Sequence, residues 1–201
     1  MGNAAARSRI SPEEYLAFER ASDQRHEYAD GEIFAMSGGT REHSLIATNI
    51  VGELRAALRG RRCEVHGSDL RIKVPSTRRY VYADGIIVCG RPAFEDETRD
   101  TVLNPLVIIE VLSDSTEKYD RGAKFAQYQS VPSIKDYVLA SQTEARIEHF
   151  HRLPDDTWLL RILGPGERLV LESSGCEIAV EDAYLLVFTP PADDAEPGES
   201  T

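Results

Sequence analysis

The stretch Asn104-Pro-Leu-Val-Ile-Ile-Glu-Val-Leu-Ser-Asp-Ser-Thr-Glu-Lys-Tyr-Asp-Arg-Gly-Ala-Lys-Phe-Ala-Gln-Tyr128 decides the reading of this chain. Its first part, Leu106 to Leu112, is rich in Val and Ile and is bounded by Pro105 and by Ser113-Asp114-Ser115, which predicts a buried strand. Glu110 interrupts that run. A carboxylate on a buried strand is costly unless a metal, a cation or hydrogen bonds satisfy it. Ser113 to Glu117 reads as a loop and Asp120 to Ser130 as a helix, on which Asp120 and Lys124 share a face. Two readings of Glu110 stay open at this point: an internal ion pair, with Lys124 as partner, or a functional site.

Upstream, Tyr80 to Cys89 reads as one strand with Asp84 inside it, much as Glu110 lies inside the next. Glu64 to Val74 alternates as another strand, and Arg91 to Thr101 is a charged loop. Ser11-Pro12-Glu13-Glu14 is a helix start, with a capping serine, a proline at the first helical position and acids in the first turn. Asp30-Gly31 is a hairpin turn between two short strands. Thr40 caps a second helix whose apolar stripe is Leu45, Ile46, Ile50, Leu54 and Leu58. Downstream, Tyr137-Val138-Leu139 is a strand, and the rest is β-rich to a short final helix near Glu181–Tyr184. The order helix, hairpin, helix, strands, helix, strands predicts an α/β or α+β fold with a mixed sheet. Residues 1–10 read as a flexible start, 11–189 as a single domain and 190–201 as a disordered acidic tail.

Composition narrows the function class. The chain has 201 residues, 41% hydrophobic and 28% charged, which is globular. A net charge of −11 argues against coating nucleic acid by bulk electrostatics. The three cysteines, Cys63, Cys89 and Cys176, are far apart and form no C-x-x-C pair. That predicts free thiols and a cytoplasmic location rather than a disulfide framework or a structural zinc site. No segment reads as a signal peptide or a bilayer span, so no membrane association is expected.

Two acids on neighbouring strands, Asp84 and Glu110, followed by a lysine, are suited to Mg²⁺ or Mn²⁺, which bind through one or two carboxylates and keep several waters. An ammonium nearby can orient water or offset phosphate charge. Among accessory residues, Glu32 is either a further acidic ligand or an exposed acid beside its turn. His43 is either a phosphate or proton-transfer group or a first-turn surface histidine. Arg71, Lys73, Lys118 and Arg121 are candidate backbone contacts for a nucleic acid, and Tyr128 is expected in the core.

Tyr82-Ala83-Asp84, Ile108 to Thr116, Tyr119 to Tyr128 and Pro132 to Leu139 together resemble the Uma family of the PD-(D/E)xK, restriction endonuclease-like superfamily. Asp30-Gly31-Glu32 and the helix beginning Thr40-Arg41-Glu42-His43 fit the same resemblance, which covers about Ser11 to Tyr184. It implies a mixed central β-sheet flanked by helices and a Mg²⁺- or Mn²⁺-dependent endonuclease that hydrolyses DNA as a homodimer. Asp84, Glu110 and the Val111 carbonyl would hold the metal. Two positions depart from the superfamily pattern: Ala83 stands where the motif has proline, and Leu112 stands where E-x-K has lysine. The family's lysine lies on the following helix, which gives Lys124 here. A catalytically silent domain of the same fold, binding nucleic acid or a protein, is the alternative.

Overall fold

The computed structural model describes residues 9–188. The expected acidic tail and all but two residues of the expected flexible start lie outside them. Ile10 is tied in on both sides: its N–H donates to the Gly31 carbonyl at 3.2 Å, and its own carbonyl accepts from the Tyr28 hydroxyl at 2.9 Å.

The chain opens with α1 (Pro12–Ala21), closed by a capping box between Ser11 and Glu14. Next come β1 (His26–Ala29) and β2 (Glu32–Ala35). Asp30 and Gly31 join them with φ of 53° and 89°, the left-handed pair that a two-residue hairpin turn demands. The long helix α2 (Arg41–Ala57) follows, its first turn capped by the Thr40 hydroxyl. Four short strands then run β3 (Cys63–His66), β4 (Arg71–Val74), β5 (Arg79–Tyr82) and β6 (Gly85–Cys89), followed by β7 (Thr101–Val102) and β8 (Val107–Leu112). Every residue of β8 is buried.

After β8 comes α3 (Glu117–Tyr119), a π-helical turn over Asp120–Lys124 and α4 (Phe125–Gln129). The strands β9 (Asp136–Ser141), β10 (Ile147–Arg152), β11 (Trp158–Leu163), β12 (Arg168–Leu171) and β13 (Cys176–Ala179) lead to α5 (Val180–Ala183).

The strands form three sheets: a five-stranded one ordered β2-β1-β5-β4-β7, a six-stranded one ordered β11-β10-β9-β8-β6-β3, and the β12–β13 hairpin. The large sheet is mixed, with β8 and β9 parallel and β6 antiparallel to β8. This is the expected α+β class with a mixed central sheet. Alternation along β8 divides its neighbours. Val107, Ile109 and Val111 pack with α2, the β12–β13 hairpin and α5. Ile108 and Leu112 pack on the other face, against Ile72, Val74 and Val81 of the small sheet and Tyr128 of α4. Glu110 shares that second face. Helix α1 closes the outside of the small sheet through Tyr15, Leu16, Tyr28 and Tyr80.

Three sequence expectations are corrected here. Glu64–Val74 is two strands in different sheets, because Gly67-Ser68-Asp69 turns the chain between β3 and β4. Tyr80–Cys89 is likewise two strands: the chain leaves the small sheet at Tyr82 and enters the large one at Gly85, so Asp84 lies at the crossing rather than inside a strand. Cys63 and Cys89, distant in sequence, are directly opposite on β3 and β6 and form a disulfide with Cα atoms 4.0 Å apart. Antiparallel pairing, which linear spacing conceals, brings them together; chain-entropy reasoning assigns a bridge across a loop of 26 residues about 3.5 kcal/mol. Cys176 is free and buried.

Candidate active site

The crossing between the two sheets makes a cleft. It has a volume of about 410 Å³, and its lining includes Glu27, His43, Asp84, Glu110, Val111, Asp120 and Lys124. Each residue arrives by a different local route. Asp84 comes from the link between β5 and β6. Glu110 projects from β8, and Val111 follows it. Asp120 and Lys124 come from the π-helical turn, a helix irregularity that recurs at functional sites. The Tyr137 hydroxyl donates to the Asp120 carbonyl at 3.0 Å and pins that turn to the sheet. His43 lies in the first turn of α2. Glu27 comes from β1.

Lys124 is the hub. Its Nζ lies 2.9 Å from Glu110 Oε1, 3.5 Å from Asp120 Oδ1 and 3.7 Å from Glu27 Oε1. Lys124 and Glu110 are 6% and 4% exposed, so solvent screens these contacts little. Burial works against charge on Lys124, yet Glu110, Glu27 and Asp120 around it raise its pKa above the ordinary lysine value. Glu110 is pushed well above the usual carboxylate range, by burial first and by the charges of Asp120 and Asp84, with Lys124 pulling the other way. The two shifts differ in cause: burial leads for Glu110, whereas for Lys124 the converging carboxylates outweigh burial. The Tyr128 hydroxyl donates to Glu110 Oε1 at 3.1 Å.

Asp84 is held from two sides. Its Oδ2 accepts the Val111 N–H at 2.7 Å and lies 3.3 Å from His43 Nε2. The His43 pKa is raised, first by its hydrogen bond to Asp84 against the opposing effect of burial, then by the Asp84 charge and the Val111 backbone. Gly39 leaves room for this ring, since a Cβ there would come within 2.8 Å of His43 Nδ1. Asp84→Asn should therefore move the His43 pKa down toward the ordinary imidazole value, read from ring proton shifts against pH. A titration unchanged in that variant would mean Asp84 is not its cause. The sign for stability follows from linkage. This pair contributes below the unfolded imidazole pKa, and the contribution is lost as pH rises through the higher folded one.

The arrangement suits a hard divalent cation. Glu27, Asp84, Glu110 and Asp120 face Lys124 and His43, an acidic surplus in a partly enclosed site. The protein contacts of Asp84 are on Oδ2 and those of Glu110 on Oε1, which leaves the second oxygen of each for another ligand among the described residues.

The sequence-derived candidates divide cleanly. The structure brings Asp84, Glu110, Val111, Lys124 and His43 into one cleft. It leaves out Glu32, which is exposed beside the hairpin turn and paired with Ala29. Glu27 on the same hairpin takes the place expected of Glu32. The signal for it was strand alternation: Tyr28 points into the core under α1, so Glu27 points the other way. Three of the four basic candidates are engaged elsewhere. Arg71 pairs with Asp100 at 2.6 Å, Lys73 with Glu95, and Arg121 with Glu117 at 2.7 Å and with Glu148.

Comparison with known proteins places the chain. Of the described residues, no helix is long and apolar enough to cross a membrane, in keeping with the globular composition. A solved structure titled "Crystal structure of a putative nuclease belonging to DUF820 from Anabaena variabilis" superposes with a TM-score of 0.72. It covers 89% of this chain and 99% of that one at 14% identity, and so shows the fold. "Uncharacterized protein slr1290" of Synechocystis sp. is 39% identical over 176 residues, 88% of this chain and 92% of that protein. "Uncharacterized protein sll1609" of the same organism is 31% identical over 169 residues, 84% and 95% of the two chains. The family model described as "Uma2: Putative restriction endonuclease" matches residues 12–181, nearly the whole described body, and the chain belongs to that family.

Proposed function

We propose that the cleft is the active site of a metal-dependent endonuclease that hydrolyses phosphodiester bonds of DNA. The observation that carries the reading is the Lys124–Glu110 contact at 2.9 Å beside Asp84. It supplies, from the π-helical turn, the cation that Leu112 cannot supply from the strand. It also favours a working site over the silent domain that the missing strand lysine had left open.

Asp84, Glu110 and the Val111 carbonyl would hold Mg²⁺ or Mn²⁺. When bound there, such an ion offers Lewis acidity toward water and the scissile phosphate and offsets charge on the leaving oxygen. The rest is done by the chain itself. Lys124 stays protonated, so it orients the attacking water and donates to phosphate oxygens rather than acting as a base; the proton that water loses on attack passes to solvent through the open mouth of the cleft. Glu27 and Asp120 fix its ammonium in place. His43, held against Asp84 with a raised pKa, can carry a proton at Nε2 to the departing oxygen. A homodimer, with one cleft for each strand of a duplex, belongs to the same proposal.

The test is cleavage of supercoiled plasmid and of single-stranded DNA by the wild type. Nicking should require Mg²⁺ or Mn²⁺ and stop when EDTA removes it. Equal cleavage by wild type and Asp84→Ala preparations would overturn the reading.

A further inference from the structure

A second cluster with ligand chemistry lies apart from the acidic cleft. Asp136 opens β9, and His149 and His151 project from the same face of β10, two residues apart. His151 is registered directly opposite Asp136. Asp136 Oδ1 lies 2.7 Å from His149 Nε2 and 2.7 Å from His151 Nδ1. All three potential ligand atoms fall within 4.8 Å of one another. Asp136 is 0% exposed and His149 2%, while the His151 side chain keeps 20%. The Ser173 hydroxyl, from the turn between β12 and β13, donates to Asp136 Oδ2.

Two features separate this cluster from an ordinary buried ion pair. A buried carboxylate is satisfied by hydrogen bonds, a cation or a metal; Asp136 has the Ser173 hydroxyl and the two imidazoles, and among the described residues no lysine or arginine pairs with it. In addition, both imidazoles, from β10, aim a ring nitrogen at one carboxylate oxygen on the neighbouring strand β9 of the same sheet, a rigid base for a ligand set. Ligand atoms on one tetrahedral zinc are roughly 3.3 Å apart, so these side chains need only part slightly to admit an ion. The serine bond then orients the carboxylate from behind.

We propose that Asp136, His149 and His151 form a binding site for a divalent transition-metal ion of the zinc class. Two nitrogens and one oxygen select against Mg²⁺, which prefers oxygen alone. The partly exposed edge at His151 is the entry path and leaves a coordination position open to water. The site is independent of the acidic cleft. Asp136 aligns with Val107 at the start of β8 and faces the side of the sheet covered by α2 and the β12–β13 hairpin, whereas Glu110 projects from the other face. Metal binding displaces any proton on the two ring nitrogens, so affinity falls as pH drops.

Chelator-stripped, untagged full-length protein should be titrated with Co²⁺ and Zn²⁺. In the Asp84→Ala/Glu110→Ala double variant, which removes the acidic cleft's carboxylate ligands, one equivalent of Co²⁺ should bind with visible d–d absorption, Zn²⁺ should displace it, and the melting temperature should rise. His151→Gln, the substitution least exposed to folding failure, should weaken binding in that background by about a hundredfold or more. The double variant separates the site from the proposed nuclease centre, whose own failure would show in cleavage instead. A second readout needs no variant: in ¹⁵N-histidine spectra, Zn²⁺ should shift one ring nitrogen on each of two of the five histidines. Absence of a bound equivalent, unchanged affinity in His151→Gln, or loss of binding only in the double variant would overturn the proposal.

Discussion

Glu110→Gln should lower DNA cleavage by about 10²–10⁴ while leaving the fold intact. A metal site supplies several kcal/mol of transition-state stabilisation, and each 1.36 kcal/mol is about tenfold in rate. Gln keeps the volume of Glu and can still accept from Tyr128 through its amide oxygen, so the packing around Glu110 survives. What it loses is the charge. Burial already disfavours that charge in the native protein, so the urea unfolding free energy should change by less than about 1.5 kcal/mol or increase. Activity and stability thus part company, as expected where a strained charge is kept for chemistry. Cleavage within tenfold of wild type, in a variant with native circular dichroism, would remove Glu110 from the mechanism.

Lys124→Met should do the opposite to stability. Removing the ammonium leaves Glu110, Asp120 and Glu27 facing one another in a site nearly closed to water. Breaking a buried pair in this way costs about 3–5 kcal/mol. The loss should depend on pH. Without Lys124 the Glu110 pKa lies still further above its unfolded value. A carboxyl with a raised folded pKa contributes stability that is present below the unfolded carboxylate pKa and is lost as pH rises through the folded one. The variant should therefore be least stable at neutral and alkaline pH and recover toward wild type as pH falls to the unfolded carboxylate pKa, below which Glu110 is protonated in both states. Denaturant melts across that range check the slope. A flat profile would mean that Lys124 is not the counter-charge of the cleft. DNA cleavage should be lost at every pH at which the variant is folded.

Much of this was legible in the sequence, and the limits have physical causes. The apolar run around Glu110, the caps at Ser11 and Thr40 and the turn at Asp30-Gly31 are local signals, and each appears in the fold where its chemistry placed it. Pairing between strands is not local. The break at Asp84 has one local mark, the Asp84-Gly85 dipeptide, and with apolar residues on both sides of it the stretch still reads as a single strand. The Cys63–Cys89 bridge depends on the same register. The Asp30-Gly31 turn singles out Glu32, which directly follows it, whereas the face of the strand decides that Glu27 is the acid that looks inward. The helix after β8 begins at Glu117, earlier than the Asp120 of the sequence reading, and carries a π-helical turn that no propensity marks.

In the proposed mechanism the cation comes from position 124 rather than 112, and that placement has an evolutionary corollary. Leu112 is 5% exposed and packs with Ile108 and Tyr137, so β8 is free to be selected as folding core alone apart from its single acid. The ammonium, on a separate helical segment, can be repositioned by small changes in winding that leave the sheet untouched. The apolar packing of β8 and the placement of the ammonium thereby become separately variable features. Drift in the one can be tolerated without loss of the other, and a search for kindred sites by linear pattern will miss chains that have made the same exchange.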